Sequence, residues 1–510
     1  MLQQFLNDNM IAISQDRRSN PFIRTRQRRN FDRRKSYRVG ASALTFLYRG
    51  DEIIYGFLKD ISNSGACVEI DGVEKKEWNT FKMGIPLLHR EKINCEILWS
   101  KENEGNNSHK QYGIKFIGLN NHGKNKLRKR FLLDESLLMA YAEEVMGKID
   151  DFQTKQEIKA FFLIDLRIAI ESLIDIDTMV GDGYNDKEIV KRCKETLDKL
   201  VNAGDKLELS LNSASLARDI KQRVRALIGH FIYQSTVFRR SFEKPQGYPG
   251  DYKTLEIVYN DNEVSEGIGK HIDRYGLDVP YSIAIRLRKD KMKEMLYNFI
   301  NNSSEEKLNI LNLASGACRD IREMFNLPIR YKGKVNLMCI DQDEGALEYS
   351  QRKLSLIDTG NININLIKGN ILRLESLEIG GDNSLDMVYS IGIADYLQDR
   401  MMIKILKDCY KKLKPGGQLV IAYKDRERHK PIALNWYGDW CFIPRNVEEV
   451  VRLINNAIGE ENISINIERE NSGVIFFATL TKNKQLEAPR QSRVHFSVSP
   501  KGDQVMNTLM

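Results

Sequence analysis

"LNILNLASGACRD" (residues 308–320) reads as an apolar strand that ends in a small polar turn and restarts as a helix. A second unit of the same kind follows, the strand "KVNLMCIDQD" (334–343) running into the helix "EGALEYSQRKLSLI" (344–357). Strands recur at "NINLIKGN" (363–370), "LDMVYSIG" (385–392) and "GQLVIAYK" (417–424). Continuous apolar strands alternating with helices predict a parallel, doubly wound sheet covered on both faces. The last two strands, "NISINIER" (462–469) and "GVIFFATLT" (473–481), meet through "ENSG" (470–473) and predict a terminal antiparallel hairpin. That hairpin sets the pattern apart from a plain dinucleotide fold.

In such sheets ligands bind beyond the carboxyl ends of the strands. At those ends stand Ser315 and Gly316, where backbone can approach a cofactor, and Asp341, placed to accept hydrogen bonds from both hydroxyls of a ribose. Asn370 follows the third strand, where an amide reads an adenine edge, and "SIGIADYLQD" (390–399) aims Gly392, Asp395 and Tyr396 at the reacting centre. "KPGG" (414–417) is the turn before the fifth strand.

Over residues 305–482 this set resembles the class I S-adenosylmethionine (SAM) methyltransferases, which implies a Rossmann-like α/β domain with a seven-stranded sheet and SAM as cofactor. The usual loop of that family has three glycines and an upstream acid. Here Asn312, Ala314 and Cys318 take those places, and Gly316 alone remains. "GYPGDY" (247–252), "SGACRD" (315–320) and "SIGIADYL" (390–397) together resemble the methyltransferases that make 3-hydroxy fatty acid methyl esters, whose loop reads SGxxRD. This resemblance spans 220–480, adds Asp320 to the cofactor set, and implies methylation of the carboxylate of an acyl chain to give a signalling ester. A carboxylate is ionised at pH 7 and needs no general base, so catalysis reduces to alignment in a water-poor pocket. Asp395, Tyr396, Tyr248 and Tyr252 are the candidate catalytic residues; Tyr248, Tyr252, Tyr396 and Arg239 are candidate anchors for the carboxylate. Trp436, Tyr437 and Trp440, in "ALNWYGDWCFIPR" (433–445), are either a roof over the substrate or packing at a domain edge.

Upstream, residues 131–240 carry apolar positions at three- and four-residue intervals and predict an all-α cap. "KPQGYPGDYKTLEIVY" (244–259) interrupts it with two prolines and two glycines in its first seven residues, a defined loop from which Tyr248, Asp251 and Tyr252 present polar groups.

Residues 42–119 read instead as short strands separated by turn signals, the pattern of a small β-barrel. Before it, ten Arg or Lys stand against two Asp between Asp16 and Arg38. Arg33, Arg34 and Arg38 in "RRKSYR" (33–38) offer planar forks that suit phosphate oxygens and guanine edges. In "DISNSG" (60–65), Asp60 and Ser62 offer an acceptor and a hydroxyl, and Gly65 lets backbone come close. RxxxR followed by (D/N)xSxxG is the signature of the PilZ family, which residues 28–120 resemble. The resemblance implies a six-stranded barrel that binds cyclic di-GMP as an allosteric ligand through Arg33, Arg34, Arg38, Asp60, Ser62 and Gly65.

The expected organisation is therefore multidomain: a basic arm (1–27), a PilZ-like barrel (28–120), a helical linker or cap (121–300), a methyltransferase domain (301–482) and a disordered tail (483–510). Seven scattered cysteines without a C-x-x-C argue against a disulfide framework or a metal site and fit a reducing, cytoplasmic setting. No apolar run reaches the roughly 18 residues of a membrane span. A net charge of +8 over 510 residues, with no basic stripe interleaved with aromatics in the catalytic half, argues against a nucleic-acid polymer as partner. Two other readings stay open: a cyclic di-GMP-responsive docking protein with a methyltransferase fold, and a methyltransferase acting on protein or nucleic acid.

Overall fold

The computed structural model describes residues 39–50, 52–61, 65–71, 80–84, 92–102, 109–119, 123, 129, 132–211, 213–483 and 494–496. The chain divides between Phe131 and Leu132 into two compact units.

The first unit is a closed antiparallel barrel. β1 (Val39–Arg49), β2 (Glu52–Ile61), β3 (Gly65–Asp71), β4 (Thr80–Gly84), β5 (Lys92–Glu102) and β6 (His109–Ile117) close in the order β1-β2-β3-β6-β5-β4. The sixth strand of the expected barrel is the five-residue β4, whose Phe81 and Met83 point inward. Alternation sends Leu47, Leu58, Val68, Met83, Cys95 and Ile114 to the interior.

The second unit begins with helices. α1 (Glu135–Met146), α2 (Phe152–Ala160), α3 (Arg167–Gly181), α4 (Asp186–Leu211), α5 (Ala214–Ile232), α6 (Thr236–Glu243), α7 (Tyr252–Asn260), α8 (Ile268–Asp278) and α9 (Pro280–Asn301) form the cap, with a π-helical turn at Phe161–Leu166 joining α2 to α3. The apolar periodicity of 219–242 is broken in the middle. Ser235 accepts from Phe238 N–H (3.2 Å) as N-cap of α6 and donates to the buried Asp273 (2.6 Å).

The sheet then follows: β7 (Lys307–Leu313), α10 (Arg319–Met324), β8 (Lys334–Asp341), α11 (Glu344–Leu354), β9 (Ile362–Lys368), β10 (Leu385–Ser390), α12 (Asp399–Lys412), β11 (Leu413–Lys424), α13 (Ile432–Gly438), α14 (Val447–Ile458), β12 (Ile463–Arg469), β13 (Ile475–Lys482) and β14 (Val494–Phe496). Strand order is β14-β12-β13-β11-β10-β7-β8-β9. β7 to β11 are parallel, and β12 and β13 form the expected antiparallel hairpin. Order reverses between β7 and β10, which opens the ligand edge there. The seven expected strands, β7 to β13, are joined by the three-residue β14, which comes from the segment expected as a tail and pairs in parallel with β12, whose free edge accepts it.

Cap and sheet share one compact unit because the chain after β11 plugs into the cap. Trp436 packs at a tilt against Phe161 and lies over Gly204, where a Cβ would come within 2.4 Å of its ring. Tyr437 donates to Leu197 O (2.7 Å), and Arg225 pairs with Asp439 (2.9 Å). Among the described residues no helix is long and apolar enough to cross a membrane.

Candidate active site

The loop after β7 holds three left-handed residues in alternation, Ala314 (φ 54°), Gly316 (φ 52°) and Cys318 (φ 50°). Asp341, 6% exposed at the end of β8, fixes this turn: one carboxylate oxygen accepts from Gly316 N–H (2.7 Å) and the other from Asp343 N–H (2.9 Å). Burial raises the Asp341 carboxyl, and the two N–H donors oppose that rise. Asp343 caps α11 with one oxygen, accepting from Gly345 N–H (2.9 Å). Its other oxygen is buried with no hydrogen-bond partner, and so is the hydroxyl of Ser315. Two orphaned polar atoms beside a turn that presents backbone are what a hydroxyl-rich ligand would satisfy.

The cap lies over the same edge. Gly250 (φ 72°) brings the 247–252 loop against Trp440, where a Cβ would sit 2.3 Å from the indole. Tyr248, half-buried in that loop, has its phenol raised by burial and by the charges of Asp341, Asp343 and Asp251. Tyr252, at the start of α7, packs with Ala317, Ala346 and Tyr349. Trp440 donates through Nε1 to the Tyr396 hydroxyl (2.7 Å), and Phe442 lies between Trp440 (5.7 Å), Tyr281 (4.7 Å) and Tyr396 (5.8 Å). Cys441, between these two aromatics in sequence, is exposed; the other six cysteines are buried. Arg288, reaching from α9, hydrogen-bonds Tyr259 and faces Tyr281, Tyr396 and Asp395. The phenols of Tyr281 and Tyr396 are raised, chiefly by burial.

In the barrel, Asp60 is half-buried near the end of β2 and pairs in register with Cys67. Gly65 opens β3 where the β6 backbone passes so close that a Cβ would lie 2.0 Å from Ile114 O.

Family comparison finds one match in each unit. Residues 28–133 match the PilZ domain and residues 310–417 a methyltransferase domain. The chain joins a PilZ domain to a methyltransferase domain.

Demethylmenaquinone methyltransferases from Listeria monocytogenes serotype 4a and Listeria welshimeri serovar 6b are each 29% identical over 163 residues, 31% of this chain. The chain spans 59% of the length of these curated relatives. Among solved structures, a possible exported protein from Bordetella parapertussis is 15% identical with a TM-score of 0.40, covering 56% of this chain and 96% of its own. Magnesium protoporphyrin IX methyltransferase from Synechocystis PCC 6803, solved with bound SAM, is 10% identical with a TM-score of 0.32, covering 52% of this chain and 97% of its own.

Within the methyltransferase domain and its cap, the structure brings Ser315, Gly316 and Asp341 together at one edge, with Tyr248 from the cap beside them. Gly392 lies past β10 with open space where a Cβ would be. Asn370 is exposed after β9 and uses its carbonyl oxygen to cap Leu372 N–H (2.9 Å). Other residues singled out from the sequence sit in structural contacts. Asp320 is 3% exposed and accepts from the Tyr389 hydroxyl (2.8 Å), which ties α10 to β10. Asp395 is turned into the strand edge, 5% exposed, accepting from Lys424 N–H (3.0 Å) and the Tyr281 hydroxyl (3.4 Å). Asp251 is buried as N-cap of α7 and pairs with Arg240 (2.6 Å) rather than projecting from the loop. Of the three proposed roof aromatics Trp440 alone joins the wall, because Trp436 and Tyr437 are core residues of the cap.

Sequence reasoning missed Asp343, Phe442 and Arg288. Arg288 had a signal: it falls on the apolar stripe of α9 with Tyr281, Ile285, Met292 and Leu296. In the PilZ domain, Asp60 and Gly65 are described, whereas Arg33, Arg34, Arg38 and Ser62 lie outside the described residues.

Proposed function

We propose that this protein is a cyclic di-GMP-responsive, SAM-dependent methyltransferase whose acceptor is the carboxylate of a small acid such as a 3-hydroxy fatty acid. SAM supplies a methyl group made electrophilic by the sulfonium it is bonded to. Asp341, with Asp343 and Ser315, would hold the ribose and amino-acid ends of the cofactor; Gly316 and Gly392 would leave room for it, and Asn370 would meet the adenine. Tyr248, Tyr252 and Tyr396 would close the cap side and exclude water.

The observation that carries the carboxylate reading is that the phenols and Asp395 of the cap-side edge are poor proton acceptors, the unpartnered Asp343 oxygen being assigned to the cofactor. The phenols of Tyr248, Tyr281 and Tyr396 are all raised and stay protonated at neutral pH. The oxygens of Asp395 are occupied, and Lys424, pulled down to about 8 by burial, remains mostly charged at pH 7. An acceptor that arrives already deprotonated suits such an edge. Bound SAM would supply the methyl and keep the electron pair of the broken carbon–sulfur bond on sulfur, so an acceptor carboxylate would require no proton transfer from the chain's residues.

For the PilZ domain the proposed ligand is cyclic di-GMP, held by Arg33, Arg34, Arg38, Asp60, Ser62 and Gly65. It alters turnover to the extent that active and inactive states bind it with different affinity.

The test is S-adenosylhomocysteine release from SAM and 3-hydroxypalmitate, with and without cyclic di-GMP, with the ester identified by mass. Nucleotide-dependent turnover is expected. Equal turnover in both conditions would reduce the PilZ domain to a docking device, and no ester in either would remove the acid. A demethylmenaquinone arm tests ring methylation, a reading that the Listeria relatives favour.

A further inference from the structure

The cations buried around the edge pair with carboxylates, apart from Lys424, which donates to His429 O (2.6 Å), and Arg288, whose hydrogen-bond partner is the neutral phenol of Tyr259. Arg322 pairs with Glu256 (2.5 Å), and Arg445 pairs with Asp399 (2.8 Å) while donating to Ala394 O (3.0 Å) and Leu397 O (2.5 Å). Lys289, the neighbour of Arg288, pairs with Glu323. Arg288 is 5% exposed, and no carboxylate among the described residues forms an ion pair with it. Its Nε is buried without a hydrogen-bond partner. Asp395 lies within electrostatic range but has committed its oxygens to Lys424 N–H and the Tyr281 hydroxyl. A guanidinium withdrawn from water with a neutral phenol and no ion-paired carboxylate costs stability, and such a group persists where an anion is to be received.

The surroundings of Arg288 fit a carboxylate on a hydrocarbon chain. The hydroxyl of Tyr259 accepts from the guanidinium and keeps its own O–H to donate, that of Tyr281 is given to Asp395, and Phe442, Trp440 and the ring of Tyr396 form an apolar wall next to them. Tyr248 links this cluster to Asp341 and Asp343 on the other side of the edge.

We propose that Arg288 is the anion anchor of the acceptor site, binding one carboxylate oxygen of the acid and leaving the other directed toward the loop after β7. This rests on the reading above that the acceptor is a carboxylic acid. It replaces Arg239, which among the described residues has no tie to this cluster. It also gives a route for product release. The methyl ester is neutral, so the guanidinium that held the acid loses its counter-charge at the moment of transfer.

The experiment compares wild type with Arg288→Met and Arg288→Lys in the full chain. Turnover of 3-hydroxypalmitate, SAM affinity, and calorimetric binding of the acid, its amide and its methyl ester to the S-adenosylhomocysteine complex are all measured. In Arg288→Met the KM for the acid rises about 100-fold or more while SAM affinity stays within threefold. Arg288→Lys recovers part of the loss, since it keeps the charge but not the fork. The uncharged amide and ester bind wild type and Arg288→Met alike. An unchanged KM in Arg288→Met overturns the anchor, and so does an equal loss of SAM affinity, which marks a structural role. If Arg288→Met does not fold, Arg288→Lys decides: acid affinity equal to wild type, or lost together with SAM affinity, overturns it. If wild type esterifies no acid, the proposed activity falls, and the anchor is judged by binding alone. Acid affinity present in wild type and missing from the variant retains it; affinity kept by the variant, or absent from wild type, ends it.

Discussion

The two sides of the ligand edge are held in different ways. On the loop side, Asp341 is gripped by main-chain N–H groups of Gly316 and Asp343, all within one strand–helix–strand unit. On the cap side, Tyr248, Tyr259, Arg288, Tyr396 and Trp440 come from five segments, and side chains hold one another in place. Backbone-held geometry is set by the fold and tolerates change in side chains. Geometry held by side chains depends on each member, and that is where substrate choice resides. Substitutions on one side should therefore leave the other intact.

The largest effect is expected on the loop side. Asp341→Ala removes the acceptor of Gly316 N–H at 2.7 Å and a ribose partner together. SAM should bind about 100-fold more weakly, roughly 3 kcal/mol by calorimetry, with acceptor binding retained. A loss under about tenfold would shift ribose recognition to Asp343.

Lys424 lies beneath both sides, 1% exposed, donating to His429 O (2.6 Å). Its ammonium is pulled down by burial from 10.5 to about 8. Between those values the unfolded chain binds a proton that the native state has lost, so stability rises with pH across the window. The span is on the order of 3 kcal/mol. Urea titrations from pH 7.5 to 10.5 should show this rise in wild type and a flatter curve in Lys424→Met; parallel curves would place the proton elsewhere.

Gly250→Ala acts on the cap side. A Cβ at a φ of 72° and 2.3 Å from Trp440 should cost about 2 kcal/mol and raise the acceptor KM. SAM affinity should be unchanged, and a matching loss there would erase the distinction between the two sides.

The smallest effect is a gain. Ala314 sits at a φ of 54° where glycine has no steric penalty, so Ala314→Gly should stabilise by about 1 kcal/mol in denaturant melts. No gain would mean that the alanine methyl earns its place by packing.

The same contrast explains what could be read from the chain. The loop side was legible because strand ends are local: Ser315, Gly316 and Asp341 stand where apolar runs stop. The three-glycine pattern is absent, yet Ala314 and Cys318 adopt the left-handed conformation that glycine would take, so the turn survives its composition. The place of Asp320 in a motif says nothing of which way the first turn of α10 faces, and here it meets Tyr389. On the cap side Tyr248 and Tyr396 could be picked out but their partners could not. Arg288 sits in "RLRKDKMK" (286–293) among four other basic residues of the same helix, Arg286, Lys289, Lys291 and Lys293, and its inward position depends on helical phase. Tertiary packing of segments far apart in sequence fixes that side. The barrel followed from alternation, and its shortest strand, β4, was the one that reading by runs passed over.

The position of Cys441 has a practical consequence. It is the exposed thiol of a chain whose other six are buried, and it is covalently flanked by Trp440 and Phe442. A maleimide dye should attach there first, with no engineered cysteine, and its emission would be quenched by the adjacent indole. Changes in that quenching on adding acid, SAM or cyclic di-GMP would time the wall's rearrangement separately from the chemistry, in a stopped-flow trace on the native sequence.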